Sequence, residues 1–138
     1  MMDARHAELV NSLVGLPWCS GADGPEAYDC WNLARLVQKE VFGRELPEVR
    51  TATFDLRAVA KEIAQNDHRR LWVRVDAPRH GCLVEMTSGT HPYHIGVYLD
   101  ADGGGILHSH SPAGVCFDRT ASLEASGWRR LYYNDWTG

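Results

Sequence analysis

Apolar residues recur at helical spacing along the first third of the chain and at alternating spacing along its second half. Between Asp3 and Val14, the positions Ala7, Val10, Val14 and Leu9, Leu13 predict a helix that Gly15 and Pro17 end. Leu33, Val37 and Val41 form the stripe of a second helix, with Asp29 as its N-cap and Gly43 as its stop. A further helix is expected after Asp55, with Leu56, Val59, Ala60 and Ile63 on one face. Beyond residue 70 the pattern becomes that of strands: Leu71–Val75, Cys82–Met86, Tyr93–Leu99, Gly105–His110, Gly114–Asp118 and Trp128–Tyr133. Helices first and an antiparallel sheet second make an α+β fold.

The 138 residues show no repeat, low-complexity tract or linker, so residues 1–138 read as one domain. A net charge of -4 gives no reason to expect nucleic acid or an anionic membrane as a partner. No apolar run is long enough to span a bilayer, and the N-terminus lacks the pattern of a secretory signal. The expectation is a protein that is cytoplasmic as synthesised, with no cofactor, and any export would run through assembly into a particle such as a virion or through release by cell lysis.

Four cysteines stand at 19, 30, 82 and 116, without a CxxC pair. Cys19 lies in a turn-rich loop, and Cys82 and Cys116 lie in strands as packing residues. Cys30 falls in the first turn of the second helix, after Asp29. Unpaired N–H groups and the positive end of the helix dipole meet there, which favours thiolate and offers donors to an oxyanion.

His94 opens the strand His-Ile-Gly-Val-Tyr-Leu, in which Ile95, Val97 and Leu99 share one face and His94, Gly96 and Tyr98 the other. Laid against the His94 face, the second helix brings Cys30 to the imidazole, as a Cys–His pair requires. A Gly-rich turn then leads to His108 and His110. A turn centred at Ala101 sets His108 across from His94, and one centred at Asp102 sets His110 there. Periodicity leaves the two open. Cys30, His94, His108 and His110 are also suitable zinc ligands, but no pair has familiar metal-site spacing. No role is assigned to His6, His68, His80 or His91.

Gly15-Leu-Pro-Trp18, Tyr28-Asp-Cys-Trp-Asn-Leu-Ala-Arg-Leu-Val37, Gly81-Cys-Leu-Val84, His94-Ile-Gly-Val-Tyr-Leu99 and Ile106-Leu-His108 resemble, in order and rough spacing, the NlpC family of cell-wall cysteine peptidases. Asp29-Cys-Trp31 followed by Phe42-Gly-Arg-Glu-Leu-Pro47 is similar to the branch found in phage tail assemblies and prophages. The resemblance implies a papain-like fold, with the cysteine helix packed on the sheet. It also implies hydrolysis of peptidoglycan stem peptides between D-glutamate and a diamino acid.

Residue by residue, the resemblance implies Cys30 as nucleophile, His94 as base and His108 as the third member of a triad. Trp18 and Asp29 fall on the oxyanion and substrate side. The chain departs from the family at Trp31-Asn32, where Ser-Gly is usual. It also departs at Trp18, where many members have tyrosine, and at Cys82, where aspartate is common. The partners implied are a peptidoglycan peptide and, for the phage-like branch, tail or other assembly proteins. Alternatives on the same scaffold are an assembly component with weak or no activity and an amidase or acyltransferase.

Overall fold

The structure is a computed structural model that describes residues 2–48, 71–87 and 94–138. Its elements are α1 (Ala4–Leu13), α2 (Cys30–Phe42), β1 (Trp72–Val75), β2 (Leu83–Thr87), β3 (His94–Leu99), β4 (Gly105–His110), β5 (Gly114–Asp118), α3 (Thr120–Ala125) and β6 (Arg130–Trp136). The helix expected after Asp55 lies outside the described residues, as do Tyr93, His68 and His91.

Local chemistry sets the helix ends. The Asp3 side chain accepts the His6 N–H and starts α1. Asp29 accepts the Asn32 N–H at 2.7 Å and starts α2 one residue before the cysteine. Gly43 stops α2 in the left-handed conformation (φ 67°), its N–H bonded to the Lys39 carbonyl and that of Arg44 to the Gln38 carbonyl.

The strands form one antiparallel sheet in the order β1-β6-β2-β3-β4-β5. Its two faces bury different things. Leu33, Ala34 and Val37 of α2 pack with Ile95, Val97, Leu99, Leu107 and Val115 in the larger core. Val84, Met86 and Ile106 pack on the opposite face with Leu123 of α3, bordered by Tyr98, Trp128, Leu131 and Tyr133.

The placement of α2 corrects the expectation that the helix lies on the His94 face. Its apolar stripe is buried against the apolar residues of β3, because that pairing removes the most hydrocarbon from water. The His94 face is covered instead by α3 and Trp128. Six residues make fewer than two helical turns, and Leu123 is the buried residue of α3, so periodicity gave no sign of it.

The far end of α2 is pinned through buried Gln38, whose Nε2 donates to the Gly81 carbonyl at 2.9 Å. Arg44 Nη1 donates to Gln38 Oε1 and to the same carbonyl, with its guanidinium over the Phe42 ring at 4.6 Å. These bonds satisfy polar groups that burial would otherwise leave costly.

Val97 pairs with Leu107 and Leu99 with Gly105, which centres the hairpin on Asp102. Carried along the strands, this register sets His110 across from His94 and His108 across from Gly96. A Cβ at residue 96 would stand 2.5 Å from Ile106 Cγ2 and 3.2 Å from His108 Cβ. Glycine there lets β4 carry His108 close to β3. Gly96→Ala is expected to cost about 1–3 kcal/mol through overpacking. Chemical denaturation of both proteins reads the loss, and an unchanged midpoint would show that β3 and β4 can part at no cost.

Candidate active site

Cys30 is 3% exposed, and the Ile95 N–H on β3 is directed at its sulfur, together with the N–H groups of Trp31 and Cys30 itself. The helix start therefore approaches β3 at Ile95, the residue after His94. Burial pushes the thiol up to about 12, against the smaller lowering by those N–H groups, and the neighbouring Asp29 charge raises it further. This corrects the expectation of a thiol activated by the helix start. Desolvation outweighs the dipole at so enclosed a sulfur, and the resting group is a neutral thiol.

Asp29 is 0% exposed. One carboxylate oxygen accepts the Asn32 N–H, and the other accepts the Gly21 N–H at 3.1 Å and the Asn32 side-chain amide at 3.3 Å. Its oxygens are turned into the helix start and the loop. The structure thus sets Asp29 as cap and loop anchor, and a direct contact with substrate does not fit it. Burial raises its carboxyl above the usual range while the N–H donors oppose that shift.

The two departures after the cysteine have structural partners. Trp31 donates its indole N–H to the Pro47 carbonyl at 2.9 Å, and Asn32 Oδ1 accepts from Arg35 Nη1 at 3.0 Å. Trp18 is half-buried, in a segment whose neighbour Pro17 accepts the Tyr28 N–H.

On the other face of the sheet, His94 Nε2 and His108 Nδ1 are 2.9 Å apart, and His108 Nε2 lies 2.8 Å from Asp118 Oδ2. The His94 ring also stacks on Trp128, with centroids 5.1 Å apart and planes at 18°. His110 sits 5.7 Å from His94, centroid to centroid, and turns Nδ1 to the Ser111 carbonyl at 3.1 Å. The register sets His110 opposite His94, yet the hydrogen bond goes to His108 on the diagonal. Gly96 provides the room for it.

Burial, then the nearby His108 and His110, hold His94 well below the usual imidazole range. Burial also lowers His108, outweighing the upward pull of Asp118. Both rings are neutral near pH 7. A cavity of about 380 Å³ opens on this face, lined by His108, His110, Asp118, Leu123, Ser126, Gly127 and Trp128.

Sequence reading missed Asp118 and Trp128. A second turn after His110 would have set the 114–118 strand beside His108 and drawn notice to its one carboxylate. Trp128 carried no signal apart from its place at a strand start. Among the described residues, no group of three or more His, Cys, Asp or Glu side chains is disposed to hold a metal ion. The four cysteines are free, with Cys82 buried, Cys116 half-buried and Cys19 exposed.

These shifts give stability a pH window. His94 and His108 are lowered from 6.5, so the unfolded chain binds more protons below that pH, and stability falls as pH drops through it. Cys30 is raised from 9.0, so the folded chain holds its proton longer, and stability falls as pH rises beyond that value. The melting temperature is expected to be highest between these limits. A melting temperature that keeps rising as the pH drops below 6 would contradict the buried neutral histidines.

Comparison with curated proteins finds no match. Comparison with family models finds the NlpC/P60 family over residues 15–137, a span that runs from the segment before Trp18 to the end of β6 and contains Cys30, His94 and His108. Members of that family are usually cysteine peptidases or hydrolases, and the family points to peptidase or hydrolase activity on the cell wall. A match over nearly the whole chain, on a fold with helices ahead of a six-stranded antiparallel sheet, means that this protein belongs to the NlpC/P60 family.

Proposed function

We propose that the chain is a cysteine peptidase that hydrolyses peptidoglycan stem peptides at a bond between D-glutamate and a diamino acid. Cys30 is the nucleophile, His94 the base and His108 the residue that orients His94. The observation that carries this reading is the meeting of a buried thiol with the start of β3, where the next imidazole is hydrogen-bonded through Nε2 to a second imidazole. His94 Nδ1 is then the ring nitrogen left for the thiol proton.

The chemistry follows from two neutral groups rather than a preformed ion pair. As the sulfur attacks the scissile carbonyl, His94 Nδ1 takes the thiol proton. The N–H groups of Cys30 and Trp31 stabilise the oxyanion, since that of Asn32 is held by Asp29. The indole N–H of Trp18 is a further donor. His94 then protonates the leaving amine, water attacks the thioester, and His94 serves as base a second time.

A second reading has one observation behind it: a thiol 3% exposed and pushed up to about 12 suits a component that keeps the fold for assembly, as in phage tails, without turnover. An amidase or acyltransferase would share the thiol and differ in product. Among the described residues no helix is long and apolar enough to cross a membrane.

Mass spectrometry of purified muropeptides incubated with wild type and with Cys30→Ala tests the main reading. Cleavage by wild type and none by the folded variant is the expected result, with fragment masses naming the bond. Cleavage that survives in Cys30→Ala would remove the mechanism. Iodoacetamide labelling near neutral pH, followed by peptide mapping, reads the resting state: exposed Cys19 is expected to react well before Cys30. The reverse order would show an ionised Cys30 and a proton already on His94.

A further inference from the structure

The hydrogen bond from His108 to Asp118 constrains where every proton in the histidine pair sits. A carboxylate accepts hydrogen bonds and donates none, so His108 Nε2 must carry a proton toward Asp118 Oδ2, 2.8 Å away. A neutral His108 then has its lone pair on Nδ1, the atom 2.9 Å from His94 Nε2. His94 must supply the proton of that bond from Nε2, which leaves its own lone pair on Nδ1. A doubly protonated His108 would reverse the chain: its Nδ1–H would donate to His94 Nε2, and the His94 proton would move to Nδ1.

We propose that Asp118 is a positioning residue that sets the tautomers of both histidines and keeps the lone pair of His94 on Nδ1 for the Cys30 proton. The inference rests on the reading of Cys30 and His94 as nucleophile and base, but the tautomers themselves are measurable without substrate. The titratable groups around His108 are His94 on β3, His110 on its own strand, and Cys116 and Asp118 on β5. The cavity residues contributed by α3 and the turn after it, Leu123, Ser126, Gly127 and Trp128, carry no charge. The His108 side chain is 0% exposed and that of Asp118 38%, so the carboxylate bridges a buried ring and solvent. Enclosure of His108 favours its neutral form, the form the tautomer chain needs.

Long-range proton–nitrogen correlation spectra of the full chain, labelled with nitrogen-15 at histidine, test this near neutral pH. In wild type, His94 and His108 are each expected to carry a single ring proton on Nε2. Asp118→Glu, with the same accepting chemistry, is expected to keep that pattern. Asp118→Ala, checked for folding by circular dichroism, is expected to show His94 as a mixture of both tautomers. On muropeptides its kcat is expected to fall on the order of 100-fold, with little change in KM. A wild-type His94 protonated on Nδ1, or one unchanged tautomer in wild type and Asp118→Ala, would overturn the proposal. The expected spectra without muropeptide cleavage by wild type would leave the tautomer relay standing and refute the peptidase reading.

Discussion

Burial of the α2 stripe against the apolar face of β3 and β4 is the constraint from which the rest of the structure follows. Leu33, Ala34 and Val37 meet Ile95, Val97, Leu99 and Leu107, and each large side chain removed from water contributes about 1.5–3 kcal/mol. That contact fixes the axis of the helix. The Asp29 cap fixes where it begins, and Gly43 where it ends. With the axis and start settled, the Cys30 sulfur has one place to be, at the head of β3. The sheet face left over is free to carry polar groups, and those groups form the histidine pair and its carboxylate neighbour.

The same burial decides the charge states. A helix start and three N–H groups favour an anion at Cys30, but a sulfur so enclosed loses more from leaving water than those dipoles return. His94 and His108 lose their charged forms for the same reason. The site is thus a chain of neutral donors and acceptors in which hydrogen-bond direction, rather than fixed charge, carries the information.

Much of this was legible in the sequence because it is written in short-range chemistry. Asp29 and Gly43 marked the ends of α2, and alternation found β4 and β5 to the residue. Cys30 and His94 stood out by position, and the ordered motifs tied them to a family that the chain proves to share. What stayed hidden depends on pairing between distant segments. The hairpin register could not be read from alternation, since shifting the turn by one residue exchanges His108 and His110. Even the correct register points to His110, because the bond that forms is diagonal and depends on the missing side chain of Gly96. The sheet face chosen by α2 and the cover supplied by α3 were likewise decided by packing.

The segment before Trp18 has a role at the border of the sheet. Gly15 donates its N–H to the Val115 carbonyl, and Val115 donates back to the Leu16 carbonyl, each at 2.9 Å. A side chain at Gly114 would collide with that same carbonyl, so the edge strand is built to receive this segment. The backbone groups of β5 that face outward at Val115 are thereby used up. A second molecule cannot extend the sheet at that point, which guards the chain against edge-to-edge aggregation. At the opposite border, β1 is only four residues long and carries a charged Arg74 in its middle, two features that discourage the same failure.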